Sequence, residues 1–81
     1  MSDIFDRAVN ITNKAAREGC LLAVFYDAGK VRTSRSDSKW AIENLNKRPK
    51  ALIGFYDGRC RPEWLEDDII WMQRRQIPTL R

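Results

Sequence analysis

The longest apolar run in this chain is Cys20-Leu21-Leu22-Ala23-Val24-Phe25-Tyr26, bounded by Gly19 before it and Asp27-Ala28-Gly29-Lys30 after it. Seven residues fall far short of the roughly 20 needed to cross a bilayer. They also lack the 3.6-residue periodicity of an amphipathic helix, and a continuous short run between turn signals suits a central strand covered on at least one face. Everything else in the chain has to be arranged around that strand.

Upstream, Ile4, Ala8, Ile11 and Ala15 fall at spacings of four, three and four, with Phe5 and Ala16 beside them. This predicts a helix over 3–18 with one apolar stripe. Ser2 or Asp3 caps it, Lys14 and Arg17 suit the negative end of its dipole, and Gly19 stops it. Downstream, Asp27-Ala28-Gly29-Lys30 reads as a turn. Val31, Thr33 and Arg35 then alternate with Arg32, Ser34 and Ser36, which predicts a second, more exposed strand paired with the first as a hairpin.

Ser36, Asp37 and Ser38 all offer N-cap side chains for a short helix through Trp40, Ala41, Ile42 and Leu45, which Pro49 ends near residue 47. Ala51 to Tyr56 reads as a third strand. Asp57-Gly58 is the strongest two-residue hairpin signal in the chain, and Arg59 to Arg61 then make at most the stub of a fourth strand. Pro62 suits the first position of a last helix. Leu65, Ile69 and Met72 form its buried stripe, Trp64, Ile70 and Trp71 flank it, Arg74 and Arg75 close it, and Pro78 stops it. The predicted fold is α+β: a small antiparallel sheet of three to four strands with helices packed on one face, in the order α-ββα-ββα. Phe5, Ile11, Ile42, Leu45, Leu65, Ile69 and Met72 join the central strand in the expected core. With 81 residues, one compact domain over 1–81 is the ceiling. A chain of that size buries only about 60% of its unfolded surface, which leaves little room for an enclosed cofactor cavity.

Two segments echo each other. Leu22 to Arg32 and Leu52 to Arg61 both run from apolar residues into Phe-Tyr-Asp, then glycine, then basic-apolar-basic, and each is followed by a tryptophan, Trp40 or Trp64. One reading is a duplicated hairpin-helix unit with two equivalent loops at one end of the sheet, both presenting Arg or Lys. The other is two ordinary hairpins drawn from the small menu of turn chemistry.

The formal charge of +4 is unevenly placed. Residues 30–61 hold nine basic residues (Lys30, Arg32, Arg35, Lys39, Lys47, Arg48, Lys50, Arg59 and Arg61) against the three acids Asp37, Glu43 and Asp57, a net +6 between flanks of −1 each. If the second strand and both turns share a side, this is a basic face that attracts phosphate backbones or an acidic protein surface. The competing reading is a charged edge that guards the sheet against strand-to-strand aggregation. Trp40, beside Lys39, either stacks on a base or anchors a protein interface, or else belongs to the core. Tyr26 and Tyr56 are placed to keep their hydroxyls wet while their rings pack.

The chemistry of catalysis is sparse. With no histidine in the chain there is no Ser-His or Cys-His pair and no histidine metal ligand. The glycines are isolated, so no phosphate loop is present. Glu63, Glu66, Asp67 and Asp68 invite the reading of a magnesium site, since Glu63 and Asp67 share a helical face at i, i+4 and Asp57 is a candidate third acid, but favourable charge in the first two turns of a helix explains the cluster more simply. Cys20 and Cys60 match no zinc or redox spacing. They read as free thiols in a reducing cytosol; Arg59 and Arg61 beside Cys60 favour its thiolate, but with no partner base the expected reading is an unreactive thiol. The N-terminus lacks a basic region followed by an apolar one, so no signal peptide is expected.

The first helix and hairpin resemble the opening of a double-stranded-RNA-binding domain, but the helix-strand-helix order that follows departs from it. The aromatic sheet signature of RNA-recognition motifs and the GXXG of KH domains are missing. A tiny histidine-free domain without a catalytic kit is similar in profile to the accessory proteins of phages and mobile elements. The expected function is therefore a cytoplasmic, non-enzymatic inhibitor or modulator, without metal, cofactor or membrane partner. It would dock by its basic face, with Trp40 and the nine cations as contacts, on a larger acidic or nucleic-acid-processing protein. The alternative is direct binding of DNA or RNA by the same face. Either a monomer or a dimer fits.

Overall fold

A computed structural model describes residues 3–76, so Ser2 as a cap and Pro78 as a stop lie outside the described residues. The elements are α1 (Asp3–Glu18), β1 (Leu22–Asp27), β2 (Lys30–Arg35), α2 (Lys39–Lys47), a short 3-10 turn (Pro49–Ala51), β3 (Leu52–Tyr56) and α3 (Pro62–Gln76). The three strands form one antiparallel sheet in the order β2-β1-β3, so the apolar run lies at its centre.

In α1 the stripe is buried at Ala8, Ile11 and Ala15. Thr12 is buried with them, and its hydroxyl donates back to the Ala8 and Val9 carbonyls, so no polar group is orphaned. Gly19 takes a left-handed φ of 62°, its N–H bonds the Ala16 carbonyl, and the Cys20 N–H reaches the Ala15 carbonyl. That paired closure is the Schellman stop that a glycine just past the helix permits. The Ala28-Gly29 turn joins β1 to β2 with both φ angles positive, 51° and 81°, as a two-residue type I′ hairpin requires. Ser38 caps α2 by accepting from the Ala41 N–H at 3.0 Å, and α2 ends at Lys47, before Pro49.

Helices cover both faces of the sheet rather than one. Leu22 and Val24 face α1 and α3, in a core completed by Ala8, Ile11, Ala15, Tyr56, Leu65 and Ile69. Ala23 and Phe25 point the other way and pack with Ala41 of α2, helped by Trp40, Ala51 and Leu52. The reason lies in the run itself: an uninterrupted apolar strand leaves Phe25 bare unless something covers the second side. Five consecutive residues of β1 are buried as a result. α2 rests on the small Ala41, which leaves Ile42 and Leu45 on its flank, 50% and 38% exposed instead of in the core. Phe5 is only partly buried, whereas Ile11, Leu65, Ile69 and Met72 are core residues as expected.

The fourth strand does not form. Gly58 does not adopt the positive φ of a type I′ hairpin. Its Cα sits against α1, where an added Cβ would lie 2.6 Å from the Ala16 Cα. The Arg59 N–H bonds Asp57 Oδ1 at 2.9 Å and the Cys60 N–H bonds the Asp57 carbonyl at 3.1 Å, so the chain turns directly into α3 at Pro62. The observed order is α-ββ-α-β-α.

Candidate interaction surface

Because β1 and β3 are antiparallel, the two Phe-Tyr-Asp turns lie at opposite ends of the sheet. Leu22 pairs with Tyr56, while Phe25 pairs with Leu52. Asp27 therefore leaves the sheet at one end and Asp57 at the other, about 17–20 Å away for strands of this length. Of the two readings of the echo, the pair of equivalent loops at one end of the sheet is not what forms, and the ten candidate contact residues divide accordingly.

Five of them gather at the Asp27 end. Lys30 pairs with Asp27 across the hairpin, and Arg32 pairs with Phe25, which puts both on the α2 side of β2. Lys47, Arg48 and Lys50, at and just past the end of α2, line a shallow depression with Tyr26, Asp27 and Ala28. Lys30, Arg32, Lys47 and Lys50 are exposed and have no ion pair among the described residues. Arg48 is different. Its Nη1 meets Asp27 Oδ2 at 2.7 Å, and its Nε and Nη2 donate to Asn44 Oδ1 at 3.2 and 2.6 Å. Asn44 in turn donates to the Trp40 carbonyl at 2.8 Å. This chain of bonds pins the end of α2 to the end of β1 and holds the depression open on its cationic rim. Asp27 is the acid in direct contact with the cluster, through Arg48, and Asp3 lines a second shallow depression with Lys30 and Arg32.

The other candidates lie elsewhere. Arg35 pairs across from Leu22 at the opposite end and forms an exposed 3.4 Å ion pair with Asp37. Lys39 opens α2 near it. Trp40 is partly buried, its ring edge-to-face with Phe25 at 5.2 Å and 86°, so much of its area packs inside the α2-side core. Arg59 folds back on Asp57 at 3.2 Å. The Arg59 backbone N–H, with its guanidinium, holds the Asp57 carboxyl below the usual carboxylate range. Arg61 precedes α3, at the same end as Asp57.

Cys20 and Cys60 are free thiols, both partly buried, and Cys60 Sγ lies 3.7 Å from Asp57 Oδ1. Among the described residues no three of His, Cys, Asp and Glu come together as a metal-holding group, so Glu63 and Asp67 do not converge with Asp57. Among the described residues no helix is long and apolar enough to cross a membrane.

Three features had weak sequence signals. The Asn44-Arg48 spacing of i, i+4 hinted at a helix-end contact, but Asp27 as the third member depends on the fold. Tyr56 is buried rather than wet, and its hydroxyl donates to Asp68 Oδ2 at 2.5 Å. Gly54 leaves the space for that ring, since a Cβ there would stand 3.0 Å from the Tyr56 hydroxyl. Burial first, and then the Asp68 bond, push the Tyr56 phenol well above its ordinary range. Trp64 and Trp71 are 55% and 63% exposed on α3. No protein-family model, curated protein or solved structure matches this chain.

Proposed function

We propose that this chain is a small non-enzymatic binding protein, an inhibitor or modulator of the phage or mobile-element kind, that works in the cytoplasm by occluding a larger protein. The footprint is the cationic end of the α2 side: Lys30, Arg32, Lys47 and Lys50 around the tethered Arg48. The target is an acidic or nucleic-acid-processing protein.

The observation that carries this reading is the contrast between Arg48 and its neighbours. One arginine is fixed by Asp27 and Asn44, while four cations beside it stay unpaired on a braced hairpin and helix end. A braced backbone that carries unpaired cations favours a compact acidic surface, because little backbone order remains to be lost there on binding and none of the four cations has to leave a partner first. The competing reading is direct binding of DNA or RNA by the same basic face; it is less well supported because the candidate cations divide between the two ends of the sheet, with Arg32 and Lys30 toward one and Arg35 and Arg59 toward the other.

The test is capture from host lysate with and without nuclease. A partner retained in stoichiometric amount after nuclease treatment, and lost on Lys30→Glu with Lys47→Glu, supports the proposal. Tight retention of nucleic acid by the purified chain with no stoichiometric protein overturns it. The salt slope then counts the phosphate contacts, at about 0.9 per contact on duplex DNA.

A further inference from the structure

α3 carries the two most exposed large apolar side chains of the described residues, Trp64 at 55% and Trp71 at 63%. At about 100° per residue, positions seven apart differ by only about 20° around a helix, so both indoles lie on one line along α3. Tryptophan is the residue most enriched among interface anchors. The charged residues around that line are ordered. Asp67 falls on one side and Asp68 on the other, and one turn past Trp71 come Arg74 and Arg75, again one on each side. Asp67, Arg74 and Arg75 have no ion pair among the described residues.

We propose that this face of α3 is a two-fold interface with a second copy of the chain, with Trp71 on the axis. A two-fold rotation perpendicular to the helices reverses their direction and keeps each flank on its own side. Asp67 then faces Arg74 of the second copy, and Asp68 faces Arg75. Each pair differs by about 1.5 Å in height, one residue of helical rise. The two Trp71 indoles meet between these four pairs. The match is specific to self-association. A foreign basic segment is repelled by Arg74 and Arg75, and an acidic one by Asp67 and Asp68, whereas a two-fold copy presents each half to its opposite. α1 and α3 cover the face of the sheet opposite α2, so association leaves the cationic end open and stands apart from the function proposed above.

A single helix pair is a small interface, and micromolar dissociation is expected of it. Sedimentation velocity over a dilution series of the full chain reads it directly. Trp71→Ala weakens association on the order of tenfold or more. Asp67→Arg and Arg74→Asp each weaken it, and the two together in one chain restore it, because the exchanged charges pair again across the axis. Asp67 is the residue to change, since Asp68 also holds Tyr56. Circular dichroism confirms that each variant is folded. A monomer at every concentration overturns the proposal, including one whose α3 then binds oligoarginine or polyglutamate. So does a dimer that tolerates Trp71→Ala, or a charge exchange that fails to restore association.

Discussion

Arg48, just past the end of α2, reaches Asp27 at the end of β1 with a 2.7 Å ion pair, and through it the helix on one face of the sheet is fastened to the strand at its centre. The two side chains are 46% and 33% exposed, so the attraction is screened. Replacing Arg48 by Met also releases Asn44. The expected cost in chemical denaturation is about 1 kcal/mol, with the midpoint lowered and the slope unchanged.

Ala28 occupies a left-handed position, φ 51°, that L residues with a Cβ adopt at a cost of about 1–2 kcal/mol. Asparagine tolerates it far better, and Asn-Gly is the preferred type I′ pair. Ala28→Asn should therefore stabilise the fold by about 0.5–1 kcal/mol, read as a rise of a few degrees in Tm. No change or a fall would show that the hairpin does not hold this turn.

Gly58 has the opposite sensitivity. A methyl group there meets the backbone of Ala16, which cannot move aside as a flexible side chain could. Gly58→Ala is expected to cost about 1–3 kcal/mol in thermal or denaturant unfolding, the usual range for overpacking. A neutral effect would contradict the close approach of the 57–58 turn to α1.

Tyr56 sets an alkaline limit. Its folded phenol titrates above the ordinary value of about 10, so between the two values the unfolded chain gives up a proton that the folded chain keeps. The contribution is fully present below about pH 10 and is lost as pH rises from there toward the folded value. Wild-type stability, followed by denaturant midpoint against pH, should therefore fall more steeply above pH 10 than that of Tyr56→Phe. Parallel curves would contradict the buried bond to Asp68.

Local signals in this chain were legible wherever one residue decides the outcome. Gly19 ends α1, Ser38 begins α2, Pro49 follows its end and Pro62 opens α3, and each of these depends on near neighbours alone. The failures were all long-range. Asp57-Gly58 is a strong hairpin signal taken locally, but the packing of Gly58 on Ala16 overrides it. The run from Leu22 to Tyr26 announces a buried strand without saying that its second face needs α2, and it is the seating of Ala41 on that face that puts Ile42 and Leu45 on the flank of the helix rather than in the core. The candidate surface was half legible for the same reason. Which residues are basic is written in the sequence, but the antiparallel pairing of β1 with β3 decides that Arg59 and Arg61 end up far from Lys30 and Lys50.

If one end of the α2 side engages an acidic protein, and not the basic middle of the chain at large, charge reversal at the two ends of the sheet has opposite outcomes. The most direct measurement is quantitative capture from nuclease-treated lysate by two charge-reversed variants, one with Lys30, Arg32, Lys47 and Lys50 changed to Glu and the other with Arg59 and Arg61 changed to Glu. Loss of the partner in the first and its retention in the second is the predicted result. Retention in the first, or loss in the second, would contradict it.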